Sequence, residues 1–320
     1  MKPLRIGTRS SPLAVWQANH VRDRLIELRG IECELVRIRT SGDQFQTGSV
    51  TFTGTKGVFI KELEEALLGG KIDLAVHSMK DVPTEIPSGL DFRAITKRED
   101  PRDCLISRGG QPLRDLPAGA RVGTSSLRRQ AQLRYFRPDL RPADLRGNVD
   151  TRIKKLLSGE FDAVILALAG VRRLGAEDQV TEVLSTDVML PAAGQGALGI
   201  ETRRDDVEAG SPVAALDDAA TRACVTAERA LLRELEGGCQ LPLGAYARIP
   251  LAAGQSQEPD SAAIEIEAAV FAPNGRDFVR LDARGSLDAP AELGRRLGQA
   301  LLEAGADRIL RLAGRSVGHS

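Results

Sequence analysis

The chain has 320 residues, of which 42% are hydrophobic and 28% charged, a usage that excludes a wholly disordered or collagen-like protein and allows two or three domains. Lys and Arg number 44, as do Asp and Glu, so no global basic field points to nucleic acid and any charge-driven binding must be local. No run reaches the roughly 18–20 apolar residues of a membrane span, and Met1–Ser10 lacks the apolar stretch of a secretory signal. The expected address is the cytoplasm, with no membrane partner. Cys33, Cys104, Cys224 and Cys239 lie far apart with no Cys-x-x-Cys pair, so no metal site is expected. Of the 44 basic residues, 36 are Arg, and no Lys follows Lys155; arginine forks suit carboxylates and phosphates.

In chain order, Leu4–Ile6 reads as a strand, and Ser10-Ser11-Pro12 supplies a cap and a first-turn proline for the helix that follows. Leu13, Trp16, Val21, Leu25 and Leu28 give that helix one apolar face, and a strand returns at Leu35–Ile38, completing a βαβ unit. Thr40–Gly57 carries four glycines and no period, which predicts a mobile loop. A helix over Phe59–Leu68 and a buried-type strand over Ile72–Val76 lead into His77-Ser78-Met79-Lys80-Asp81. A second series starts at Arg121-Val122. Gly123-Thr124-Ser125-Ser126 opens a helix near Leu127, a further helix spans Thr151–Leu157, and Ala163–Leu168 is a strand. Strands alternating with helices predict parallel sheets covered on both faces, with ligands beyond the carboxyl ends of the strands. Lys97–Arg102 and Pro191–Gly196 read as crossings between the two series.

The last third differs. A helix over Ala219–Leu235 ends at Gly237-Gly238, Ile264–Val270 and Phe278–Ala283 form a hairpin around Asn274-Gly275, and Asp288–Leu302 is a helix. Ala252–Ala263 reads as a loose insertion. The expected organisation is therefore α/β: residues 1–97 with 196–216 as one doubly wound domain, 102–191 as a second, and 219–320 as a small α+β domain.

Charge is uneven within this neutral chain. From Arg121 to Lys155 there are eight Arg and two Lys against three Asp, a local net charge of +7. Within it, Gly123–Arg129 places backbone N–H groups, hydroxyls and two arginines at a strand-to-helix turn, an arrangement that binds carboxylate or phosphate; the plain alternative is a solvated basic face. Lys80 and Asp81 follow a buried strand, where a carboxylate can act as acid or base or hold a developing cation; an ordinary surface pair is the alternative. His77 reads as a core histidine. Cys239, between glycines and a proline, is expected on a loop, where a thiol can act as a nucleophile; the other three cysteines read as small core residues. A phosphate-binding transferase would need a P-loop, which is missing, and a two-lobed solute-binding module would need no loop cysteine.

The strings Ala75–Pro83 (AVHSMKDVP), Arg98–Asp103 (REDPRD), Val122–Gln130 (VGTSSLRRQ), Leu145–Val149 (LRGNV) and Leu235–Gln240 (LEGGCQ) occur in one order along the chain. Together they resemble the porphobilinogen deaminase (hydroxymethylbilane synthase) family over essentially the whole length. The resemblance implies two lobes of the type II periplasmic-binding-protein kind, with the active site between them, and a third domain carrying a dipyrromethane cofactor. It further implies stepwise condensation of four porphobilinogen molecules, with loss of ammonia, to hydroxymethylbilane, by a monomer with no nucleic-acid partner. By the family's pattern, Cys239 anchors the cofactor through a thioether. Lys80, Thr124, Ser126, Arg128, Arg129 and Arg152 hold its carboxylates, and Arg9, Ser11, Gln17, Arg146, Arg173 and Gln195 meet the substrate or the growing chain. Asp81 would face the pyrrole N–H groups and stabilise the cationic azafulvene-like species formed as ammonia leaves. One departure stands out: the family's loop commonly carries a second lysine shortly before Lys56-Gly57, and here Thr51–Thr55 has none.

Overall fold

The computed structural model describes residues 2–40, 60–235, 241–250 and 263–317. The expected mobile loop, the Cys239 loop and the loose insertion therefore lie outside the described residues, apart from Thr40 and Ala263. Backbone contacts divide the chain into two units, 1–99 with 196–222, and 100–195 with 223–320.

The first unit is built on strands β1 (Leu4–Thr8), β2 (Cys33–Arg37), β3 (Leu74–Ser78), β4 (Leu90–Ile95) and β10 (Leu198–Arg203), in the order β2-β1-β3-β10-β4. Helices α1 (Pro12–Arg29), α2 (Lys61–Leu68) and α6 (Val207–Ala214) cover it. Side chains alternate across the sheet, so Leu74 and Val76 join one apolar core with Leu4, Ile6 and Val21, while Ala75 joins another with Leu63, Leu67 and Ile72. A sheet buried on both faces needs this continuous apolar run. His77, on β3, sits in the interior as expected of a core histidine, its Nε2 3.0 Å from Glu201 Oε2.

In the second unit the sheet order is β7-β6-β8-β5-β9, from β5 (Asp103–Ser107), β6 (Arg121–Gly123), β7 (Arg141–Ala143), β8 (Ala163–Ala167) and β9 (Glu182–Val183). Helices α3 (Leu127–Phe136), α4 (Val149–Leu157) and α5 (Leu168–Arg173) accompany it. Leu105 and Ile165 enter one core, Cys104, Ile106, Val164 and Leu166 the other. This unit also holds a three-stranded antiparallel sheet, β11 (Leu243–Arg248), β12 (Ala263–Phe271) and β13 (Phe278–Ser286), with helices α7 (Ala219–Glu234), α8 (Pro290–Glu303) and α9 (Ala306–Val317). Ile264, Ile266, Ala268 and Val270 of β12 pack with Ala227, Leu231, Leu293 and Leu297, whereas Ala269 and Phe271 on its other face meet Ala131 and Leu190. The hairpin over 264–283 is thus present, with strands longer than the sequence predicts.

Both five-stranded sheets depart from the expectation of purely parallel pairing. The first three strands of each are parallel, but β10 runs antiparallel to β3 and β4, and β5 antiparallel to β8 and β9. Each reversed strand is the one next to a crossing, so it enters its sheet from the opposite end. The crossings approach closely: Glu99 N donates to Gly196 O at 3.3 Å, and a Cβ on Gly196 (φ +91°) would lie 2.4 Å from Glu99 O. Only glycine fits both the left-handed backbone and that gap.

Candidate active site

In the first unit, the carboxyl ends of the adjacent parallel strands β1 and β3 carry Arg9, Ser11, Lys80 and Asp81. Ser11 caps α1, its Oγ accepting from Ala14 N at 3.3 Å, and Pro12 fills the first turn. Gln17 is buried on α1 and donates from Nε2 to Ser78 Oγ at 2.9 Å, which ties the helix to the end of β3. The chain then turns through a 3-10 segment, Met79–Asp81, pinned by Met79 N donating to Ala197 O at 3.1 Å. Met79 is buried, Lys80 half-buried and Asp81 exposed. The strand therefore locks the turn from beneath and presents a carboxylate to solvent.

The second unit repeats this plan. β6 runs into Thr124, which is buried, and Ser126 caps α3, its Oγ accepting from Arg129 N at 3.5 Å. Ser125 Oγ accepts from Leu145 N at 2.9 Å and donates to Leu145 O at 3.0 Å, which joins the β6 turn to the segment bearing Arg146. Arg146 is exposed, and Arg152 on α4 donates from Nε to Gly147 O at 2.8 Å. Arg173 lies half-buried at the end of α5. The amino-terminal ends of α3, α4 and α5 thus gather at the carboxyl ends of β6 to β8, and their unpaired N–H groups favour anions.

Arg128 and Arg129 are only 4% and 5% exposed, far more buried than a solvent-facing basic run would be. Both converge on Asp103, which is fully buried at the head of β5. Arg129 Nη2 donates to Asp103 Oδ1 at 2.8 Å and Arg128 Nη2 lies 2.8 Å from Oδ2; each guanidinium also donates to a carbonyl, Arg128 to Leu190 O and Arg129 to Ile165 O. Gln195 completes the group: wholly buried, it donates from Nε2 to Asp103 Oδ1 at 2.8 Å and to Pro101 O at 2.6 Å. Burial alone would push the Asp103 carboxyl up, but the charges of Arg128 and Arg129 outweigh it and hold Asp103 well below the ordinary carboxylate range. Desolvation in turn lowers Arg128. Two guanidiniums against one carboxylate leave one net positive charge at this edge.

Several cations of the +7 segment are engaged within the unit. Arg137 grips Asp139 and donates to the carbonyls of Leu113, Arg114 and Leu116, Arg134 donates to Pro273 O, and Arg121 lies over the Phe161 ring. Those cations are engaged in holding the lobe together. Asp103, which joins Arg128, Arg129 and Gln195, is not among the residues expected from the sequence; its signal is an acidic residue heading the buried strand Asp103–Ser107.

The family model for "porphobilinogen deaminase, dipyromethane cofactor binding domain" matches residues 4–211, and the model for the C-terminal domain of the same enzyme matches 222–303. The chain belongs to the porphobilinogen deaminase family. A porphobilinogen deaminase of Pelotomaculum thermopropionicum is 47% identical over 98% of this chain and 97% of its own, and one of Geotalea uraniireducens is 49% identical over 97% and 94%. Among solved structures, the methionine-binding protein MetQ covers 67% of this chain and 89% of its own with a TM-score of 0.42 and 12% identity. For a cofactor bearing several carboxylates the donor set fits: buried cations with a net charge, hydroxyls at helix caps, and Arg129 Nε, which is buried with no hydrogen-bond partner among the described residues.

Proposed function

We propose that this chain joins four porphobilinogen molecules, with loss of ammonia, into hydroxymethylbilane, acting as a cytoplasmic monomer on a dipyrromethane anchored by a thioether at Cys239. The observation that carries the residue-level reading is the pair Arg128 and Arg129 sharing one carboxylate at the start of α3, which leaves positive charge where strand ends and helix N-termini meet. Each pyrrole carries an acetate and a propionate, so a growing chain needs many forked cationic partners.

When bound, the dipyrromethane supplies the pyrrole carbon from which growth starts. Lys80, Thr124, Ser126, Arg128, Arg129 and Arg152 hold its carboxylates. Arg9, Ser11, Gln17, Arg146 and Arg173 meet the incoming ring or the elongating chain, and Gln195, which bonds Asp103, supports Arg128 and Arg129 from beneath. Asp81, exposed at the end of a rigid turn, faces the substrate's pyrrole N–H. As ammonia departs from porphobilinogen, the negative charge of Asp81 stabilises the cation left behind, and its carboxylate carries the protons that ring coupling releases.

Intact mass tests the reading. The purified protein should exceed the mass of its chain by one dipyrrole and gain discrete increments on adding porphobilinogen, and Cys239→Ser should fold without the adduct. A fully active protein with no covalent dipyrrole, or an adduct mapped to another cysteine, would refute the anchor. A two-lobed solute-binding module would show neither adduct nor increments.

A further inference from the structure

We propose that Asp103 is a positioning residue for this reaction, fixing the guanidiniums of Arg128 and Arg129 and setting the net charge they present. The proposal rests on the reading above, in which those arginines meet an acidic cofactor. Asp103 stands at the head of β5 with no solvent exposure, and donors from two directions close on it: Arg128 and Arg129 from α3, Gln195 from the crossing. A carboxylate offers about four acceptor positions; here Oδ1 accepts from Arg129 and Gln195, while Oδ2, with no hydrogen bond among the described residues, lies 2.8 Å from Arg128 Nη2 as an ion pair. With a carbonyl on a second side of each, neither guanidinium is free to rotate.

The stoichiometry is what points beyond packing. A buried one-to-one pair would be neutral and attract no anion, and well-packed apolar side chains would fill the same space at no cost in desolvation. Two arginines without a counterion would repel each other, and burial already disfavours the charged form of Arg128. One carboxylate shared between two guanidiniums keeps both ionised, holds them side by side, and leaves a single positive charge to face outward. Removing the carboxylate therefore changes two things at once, the aim of the forks and the field at the site.

Asp103→Asn and Asp103→Glu separate these effects. Asparagine keeps the shape, raises the local charge by one and turns an N–H₂ group toward an arginine. Glutamate keeps the charge and displaces it by a methylene. Ammonia release from porphobilinogen is followed at steady state between about 0.01 and 0.1 M NaCl, over which the screening length falls from about 30 to about 10 Å. The expected result for Asp103→Asn is a KM that rises at least about twice as steeply with salt as in the parent, with kcat at least about tenfold lower. Asp103→Glu should keep the parent's salt response and still lose about tenfold in kcat, because a shift of about 1 Å is enough to misalign a reacting complex. A role in folding alone would lower the active fraction without changing the salt response. Parental turnover by Asp103→Glu, or an unchanged salt response in Asp103→Asn, overturns the proposal, and Asp103→Glu decides alone if the asparagine variant does not fold. A parent that releases no ammonia refutes the activity itself, whereas an active parent beside an unimpaired Asp103→Glu refutes only the role of Asp103.

Discussion

Gly199→Ala tests whether the turn bearing Lys80 and Asp81 is held by packing from below. Gly199 lies on β10 opposite His77, and a Cβ there would sit 2.2 Å from Met79 Sδ and 2.7 Å from two ring carbons of Phe92. Phe92 cannot yield easily, since its ring is held edge-on against His77 and is 8% exposed. Met79, 2% exposed, must move by about 1 Å to regain ordinary contact, and it opens the 3-10 turn whose third residue is Asp81. Overpacking of this kind costs about 1–3 kcal/mol, which for a chain of this size lowers Tm by about 2–4 °C per kcal/mol. If Asp81 has the role proposed for it, displacing its carboxylate by about 1 Å should lower single-turnover ammonia release by up to about 100-fold. Shortening the obstructing side chain in Gly199→Ala/Met79→Ala should restore part of the turnover while remaining less stable than the parent. If Gly199→Ala melts within about 1 °C of the parent and turns over at the parent rate, the turn is not positioned by this contact.

Other expectations follow from the same geometry. Arg129→Leu removes one of two cations from a buried carboxylate, so it should cost about 3 kcal/mol in urea unfolding, as well as impairing cofactor loading measured by mass; parental stability would contradict the ion-pair geometry. Asp81→Asn should lose far more turnover than Asp81→Glu, since the argument rests on charge; equal ammonia release by Asp81→Asn and the parent would remove Asp81 from the chemistry. Burial and the nearby Glu201 charge push Glu64 from 4.5 up to about 7, so the folded chain binds its proton more tightly than the unfolded one. That contribution to stability is full below about pH 4.5 and is lost as pH rises through about 7, and for a half-exposed group screening limits it to about 1 kcal/mol. Glu64→Gln should flatten the fall in stability between pH 5 and 8 by that amount; an identical pH profile in the variant would show that Glu64 titrates normally.

The parts of the fold legible in the sequence are those with local signatures. Ser11-Pro12 and Ser126 mark helix starts because capping is a contact between near neighbours, and the βαβ order follows from apolar runs separated by helical periodicity. β4 does alternate, with Leu90, Phe92 and Ala94 buried between half-buried Asp91 and Arg93, and was legible in principle; β5 and β10 were less so. Leu198–Arg203 and Asp103–Ser107 are buried on both faces, so neither alternates, and their antiparallel direction depends on partners far along the chain. The site divided in the same way. Gly123–Arg129 suggests an anion site through its glycine turn, hydroxyls and paired arginines, but a sequence does not distinguish an arginine facing water from one enclosed against Asp103. The carboxylate that joins Arg128, Arg129 and Gln195 is separated from them by about 25 and 92 residues, and no periodicity carries information over that span.

The shared strand order of the two five-stranded sheets has a consequence for how the protein is made. Every strand of the β7-β6-β8-β5-β9 sheet lies between residues 103 and 183, so it can close as soon as that stretch leaves the ribosome. The amino-terminal sheet has to wait. Its β10 stands between β3 and β4, so until residues 198–203 have been synthesised β4 has no neighbour and β3 has an open edge. Of the two five-stranded sheets, the one begun first is therefore completed last, and through the translation of about 100 residues, at roughly 5–20 residues per second, β3 offers backbone groups to which a chaperone or another nascent chain can bind.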